Sequence, residues 1–143
     1  MSAFWLNLLA YLVPTFILGF VWHLKLFHRY YERLNIYRPN VIIPFGFGSM
    51  LLQCCIFAAA YPRLVDRPWT VGSGLRFAAG AALLSWTFTT LAVAAKHPMT
   101  SVSWFVGIET AFTLVQFGLV GPLLALSARA AGEPRRTAFV QAA

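Results

Sequence analysis

Four long apolar segments, at approximately Ala3–Trp22, Asn40–Tyr61, Arg76–Ala95 and Ser103–Ala128, fill almost the whole of this 143-residue chain. About 20 helical residues cross the roughly 30 Å hydrocarbon core of a bilayer. Lipid offers no partner to a backbone N–H or C=O, so a spanning segment is a helix or part of a closed barrel. These runs are continuous and lack the alternation of a barrel strand, which selects helices. The fold expected is therefore all-α, a four-transmembrane-helix bundle with short loops.

Charge and composition agree with that class. Only 10% of residues are charged and 59% are hydrophobic, against about 25% charged in a soluble domain. The formal charge of +7 does not point to nucleic acid. The basic residues flank the apolar segments, where lipid head groups are their partners, and no RNA- or DNA-binding motif accompanies them. With four spans the chain has no room for a soluble domain, so residues 1–143 read as one integral membrane domain. The first segment reads as a retained helix that also directs insertion, because Met1–Ser2–Ala3 is not a basic signal-peptide start and no small-residue cleavage site follows. A bacterial inner membrane is the location expected, with residues 129–143 a mobile tail beyond the Gly132–Pro134 break.

The loops carry the topology. Between the first two helices Lys25, Arg29, Arg33 and Arg38 alternate with Phe27, Tyr30, Tyr31 and Tyr37. Leu24, Phe27, Tyr31 and Leu34 recur at helical spacing, so the first helix is expected to continue or bend into an interfacial segment. Pro62–Trp69, with Gly72 and Gly74 behind it, reads as a turn, and Lys96-His97-Pro98 ends the third helix. Six basic residues lie on the side of the termini and five on the other, almost no positive-inside bias. The flanks of the first helix favour both termini outside the cytoplasm, with dual insertion as the alternative.

Polar residues in the spans form stripes. Glu109, Thr113 and Gln116 share a face of the fourth helix, Ser49 and Gln53 of the second, Ser85 and Thr89 of the third, and Asn7, Tyr11 and Thr15 of the first. Such faces turn into a bundle, either to hydrogen-bond between helices or to line a polar path. Glu109 is the one acidic residue inside any of the expected spans, and an intramembrane carboxylate is a functional-site candidate because it is costly unless protonated or paired. Thr89 and Thr90 are expected level with it, Gly46 and Gly48 to leave room there, and His23 to pair with it. The intramembrane polar site is accordingly Glu109, Thr113, Gln116, Thr89, Gln53 and His23. Gly46, Gly48, Gly80, Gly107, Gly118 and Gly121, with the Ala78–Ala82 run, are expected at close helix contacts.

Other chemistry is not expected. His23 and His28 are five residues apart, off the i, i+4 spacing that brings two ligands together on a helix, so with His97 they read as interfacial side chains rather than metal or haem ligands. Adjacent helical residues diverge by about 100°, so Cys54 and Cys55 read as apolar filler. No catalytic residues, metal or cofactor are expected.

The segment Phe16–His23, with Gly19 and Trp22 in a Gly-x-x-Trp element and Leu26-Phe27 following, resembles the first-helix signature of a family of small bacterial four-helix integral membrane proteins filed as a domain of unknown function. His23 stands where that family more usually has an aromatic residue, and the basic-aromatic loop here is longer. The resemblance implies the four-helix fold and no activity. Three function classes follow from the residues: an accessory or scaffold subunit associating with other membrane proteins, a small homo-oligomeric transporter, proton-coupled or not, using Glu109, and a membrane enzyme acting on a lipid through Glu109 with His23 or His97. The partners expected are membrane lipids, with other membrane protein subunits or further copies of the chain, and no nucleic acid.

Arg in place of Leu84, near the middle of the third helix, is expected to cost about 2.5–3.5 kcal/mol of membrane insertion, and Arg at Leu64 almost nothing. Equal insertion of the two variants, measured by a glycosylation-mapping assay, would contradict the assignment of that helix.

Overall fold

The computed structural model describes residues 3–38 and 40–132. Helix α1 (Ala3–Val21) runs into a π turn (Trp22–Leu26), and the short α2 (His28–Leu34) follows. Then come α3 (Ile43–Leu64), α4 (Val71–Trp86), a second π turn (Thr87–Leu91), α5 (Ala92–Lys96) and α6 (Val102–Ala130). Four stretches are long and apolar enough to cross a membrane: Ala3–Leu26, Ile43–Leu64, Val71–Lys96 and Val102–Ala130. Large apolar side chains such as Ile43, Phe45, Phe88 and Leu114 are turned outward, which in water would be an untenable surface and in lipid is the matching one. The chain is an all-α four-helix bundle of the multi-pass membrane class.

The elements begin and end for local reasons, several of them different from the sequence expectation. The third span starts at Val71 rather than Arg76, because Thr70 and Ser73 form a reciprocal capping box (Ser73 N to Thr70 Oγ1 3.1 Å, Thr70 N to Ser73 Oγ 3.0 Å). Gly72 and Gly74 are therefore helical, not part of the turn. The second span starts at Ile43 rather than Asn40, with Pro44 in its first turn, where a missing N–H costs nothing. It runs through Pro62 to Leu64, where the sequence suggests a turn. A proline inside a helix strips the carbonyl four residues earlier of its partner. Here that carbonyl is Ala58 O, and Asn7 Nδ2 of α1 approaches it at 3.5 Å. Asn7 Oδ1 in turn accepts from Ser127 Oγ of α6 at 2.6 Å, so one buried amide ties three spans. The fourth span reaches Ala130, which corrects the expected start of the tail at 129; residues 133–143 lie outside the described residues, as does Pro39.

Helix α6 is the centre of the bundle, flanked by α1 on one side and α4 on the other, with α3 packed on α1. The α4–α6 seam is backbone against backbone. A Cβ on Gly74 would stand 2.2 Å from Gly121 O, and one on Gly121 would stand 2.8 Å from Ala78 Cβ. Of the glycines expected at close contacts only Gly121 is there. Gly46, Gly48, Gly80, Gly107 and Gly118 have open space where a side chain would begin, and Gly74, assigned to the turn by sequence, is the real partner.

The extension after α1 is present, as a π turn followed by the short α2, with Arg29 and Arg33 exposed and Tyr31 and Leu34 turned onto α6. The π turn breaks the helical register, so Leu24 is exposed while Tyr31 and Leu34 are buried against Phe105 and Ile108 of α6. Asn35, in the left-handed conformation at φ 56°, ends α2. Thr100 N and Oγ1 then donate to Leu34 O and Arg33 O at 3.2 and 2.8 Å, fastening α2 to the α5–α6 connection.

Because no flexible side chain can yield at the α4–α6 seam, Gly74→Val is expected to destabilise the bundle by at least about 1–3 kcal/mol. Gly80→Ala, on an open face, is expected to be neutral or slightly stabilising. Thermal unfolding midpoints in one detergent compare the two directly.

Candidate functional site

The packing that closes one half of the bundle leaves the other half open. A cavity of about 650 Å³ lies between all four spans, at the level of the end of α1, the start of α3, the end of α4 and the first half of α6. Phe16, Phe20, Phe47, Met50 and Phe112 supply most of its apolar wall. All six residues of the expected polar site, Glu109, Thr113, Gln116, Thr89, Gln53 and His23, line it, with Ser85 and Thr15 beside them.

The deep end is closed by a hydrogen-bonded chain that touches every span. Tyr11 Oη donates to Gln53 Oε1 at 2.8 Å, and Gln53 Nε2 donates to Ser85 Oγ at 3.1 Å. Gln116 Nε2 approaches Tyr11 Oη and Thr15 Oγ1 at 3.4 and 3.5 Å. Each group comes from the polar stripe of its own helix, so the stripes of α1, α3, α4 and α6 converge here. Thr113 does not cross between helices; its hydroxyl donates to Glu109 O at 2.8 Å. Thr89 donates to Ser85 O at 3.0 Å and stands exposed at the cavity margin. The reason is the second π turn: its i to i+5 hydrogen bonding advances the register, so Thr90, not Thr89, follows Ser85 into the bundle.

Seven residues before Gln116, and so about 10 Å shallower along the helix axis, the Glu109 carboxylate meets two partners. Tyr31 Oη of α2 donates to its Oε1 at 2.5 Å, and His23 Nε2 stands 3.6 Å from the same oxygen, within ion-pair range and beyond a hydrogen bond. His23 sits in the first π turn, its Nδ1 3.0 Å from Gly19 O, and its ring is stacked on Tyr31 (4.9 Å) with Phe112 edge-on (4.7 Å). Tyr37 stacks on the far face of the pair at 5.4 Å from Tyr31. Burial, and then the neighbouring Glu109 carboxylate, push the Tyr31 phenol well above its ordinary range, so it remains an O–H donor at physiological pH.

Tyr31 is the site residue the sequence reading did not single out as such. Its signal was present as one of four apolar positions at helical spacing, but nothing in the spacing showed that α2 would fold back on α6. Gly46 lines the cavity as expected, whereas Gly48 does not. His97 caps the exposed end of α5 and does not line the cavity, and His28 pairs with Glu32 at 3.2 Å on the surface. Among the described residues no group of three or more His, Cys, Asp or Glu side chains comes together to hold a metal ion. No family model, curated protein or solved structure matches this chain.

Tyr31→Phe leaves the Glu109 carboxylate without its hydroxyl donor and is expected to cost about 1.5–3 kcal/mol, because a bond to a charged group is lost. Tyr30→Phe, at an exposed neighbour, is expected to cost under about 0.5 kcal/mol. Faster trypsin cleavage after Arg29 and Arg33 in the first variant alone would report the release of α2.

Proposed function

We propose that this chain is a small transporter of a bacterial inner membrane that accepts a hydrophobic molecule in the cavity between its four spans, with Glu109 as the polar contact. The observation that supports this reading is the cavity itself: an apolar chamber whose polar groups come from every span and whose carboxylate is held by residues of the first π turn and α2. A packed scaffold bundle has no use for such a space, since van der Waals contact drives helix association in lipid and a void forfeits it. The volume is in the range of small-molecule sites. Gly19, part of the element that resembles the four-helix family, accepts from the His23 ring beside the carboxylate, while His23 itself is a departure from that family; membership of that family is part of the proposal.

The accessory-subunit reading has one observation of its own. Residues 43–49 of α3 are all exposed, and Gly46 and Gly48 there have open space around them, a surface onto which a helix of another subunit fits. The mass of the native particle extracted in mild detergent separates the readings: a fixed heteromeric partner favours the subunit, a monomer or homo-oligomer the transporter.

The cavity reading is tested with triphenylphosphine oxide, a neutral hydrophobe, by equilibrium dialysis against the chain in lipid nanodiscs. Saturable binding of about one probe per chain is expected. Gly46→Trp, which places a large ring at a lining position with open space around it, is expected to weaken binding about tenfold or more. Partitioning equal to that of empty nanodiscs, for this probe and for charged relatives of similar size alike, would count against the cavity as a site.

A further inference from the structure

The geometry around His23 determines how many protons the site holds. Gly19 O is a carbonyl and can only accept, so the Nδ1 facing it at 3.0 Å carries a hydrogen. The remaining nitrogen, Nε2, faces Glu109 Oε1 at 3.6 Å. With no further proton, a nitrogen lone pair would oppose a carboxylate in a low-dielectric setting, and the net charge of −1 would be unpaired. One proton, as imidazolium with carboxylate or imidazole with carboxylic acid, removes both penalties and leaves the pair neutral. No other titratable group answers it from within the cavity. Among the described residues lining the chamber α3 contributes Ile43, Gly46, Phe47, Ser49, Met50 and Gln53, α4 contributes Ser85 and Thr89, and α6 contributes only Glu109 as an ionisable group. Outside the lining, Tyr31 of α2 faces the carboxylate as a neutral donor, with Tyr37 stacked behind it. Among the described residues no Lys or Arg lines the cavity.

A chamber walled by aromatic rings, with one carboxylate and no fixed cation, is complementary to a hydrophobic positive charge. Phenyl faces attract cations, and the carboxylate neutralises them. We propose that the cavity takes a hydrophobic organic monocation, of the alkylammonium or arylphosphonium class, in exchange for the single proton held by the His23–Glu109 pair. The exchange balances. A cation of charge +1 enters, the Nε2–H bond of the imidazolium (or the carboxyl O–H of the alternative form) breaks, and one proton passes to water. The site stays neutral in both states, which avoids the cost of a bare charge in the membrane. The proposal rests on the transporter reading and adds to it the ligand class and the coupling ion.

Tetraphenylphosphonium has no exchangeable proton and is therefore the probe, with neutral triphenylphosphine oxide and anionic tetraphenylborate as relatives of similar size. The wild-type chain in nanodiscs is titrated in weakly buffered solution containing a pH-indicator dye. Expected are preferential binding of tetraphenylphosphonium and release of about one proton per cation bound, with affinity falling about tenfold per unit of pH on the acid side. Glu109→Gln keeps an acceptor for Tyr31 and is expected to abolish the proton release and weaken cation binding about tenfold or more. Cation binding without proton release overturns the exchange. Equal binding of the neutral or anionic relative overturns the ligand class while sparing the cavity reading, and failure of all three probes to bind overturns both. The wild-type measurements alone decide among these outcomes should Glu109→Gln fail to fold.

Discussion

Lipid cannot satisfy a polar side chain, and this decides which helix occupies the middle of the bundle. Glu109, Thr113 and Gln116 form the most polar stripe in the chain, so α6 is the helix that gains most from being covered on several sides. It is flanked by α1 and α4, and α2 folds back over its first turns. The stripes on the other helices then have one productive direction to face. Their hydrogen bonds contribute modestly, about 0.6 kcal/mol each on average, so they set orientation and register more than total stability. Contact energy comes instead from the close seam of Gly74, Ala78, Gly121 and Ala125, where backbones approach without intervening side chains.

One break in the helical ladder is answered from another span. Pro62 leaves Ala58 O bare inside α3, and Asn7 supplies the missing donor. The two π turns, Trp22–Leu26 and Thr87–Leu91, lie in different spans yet both reach the cavity, through His23 and Thr89. An extra residue in a turn rotates everything after it on the helix surface. That rotation lets α1 deliver the His23 ring beside Glu109 while α2 departs in a new direction, with Tyr31 on the same carboxylate.

The spans were legible because hydropathy over about 20 residues is a summed signal that single residues do not upset. The polar stripes were legible for the same reason they matter, since each uncovered amide or carboxylate in lipid is conspicuous. Boundaries were less so: the third span begins five residues before Arg76, since capping by Thr70 and Ser73 outweighs the glycines that read as a turn. Glycine packing was hardly legible, because Gly74 and Gly80 are equivalent in the sequence and differ only in which face meets α6. Tyr31 was hidden by the same kind of non-local fact, the docking of α2 on α6. The α-helical periodicity links Ser85 to Thr89, and both line the cavity; what it does not show is that the π turn buries Thr90 next to them.

The two halves of the bundle differ in a way that bears on how the proposed carrier would work. Around Ala58, Tyr61, Ala78, Gly121, Leu124 and Ala128 the helices are close and the interior is filled. Around Phe16, Phe47 and Glu109 they stand apart, and the cavity lies there. A molecule going deeper meets the Tyr11–Gln53–Ser85 chain and Gln116. Those bonds are individually weak, and a ligand with polar groups can exchange with them at small net cost. The Gly74–Gly121 contact cannot be exchanged in that way, because separating it exposes backbone-level contacts that no ligand replaces. The Gly74–Gly121 contact thus binds α4 to α6 at backbone level, whereas α3 touches its neighbours mainly through α1 and long side chains.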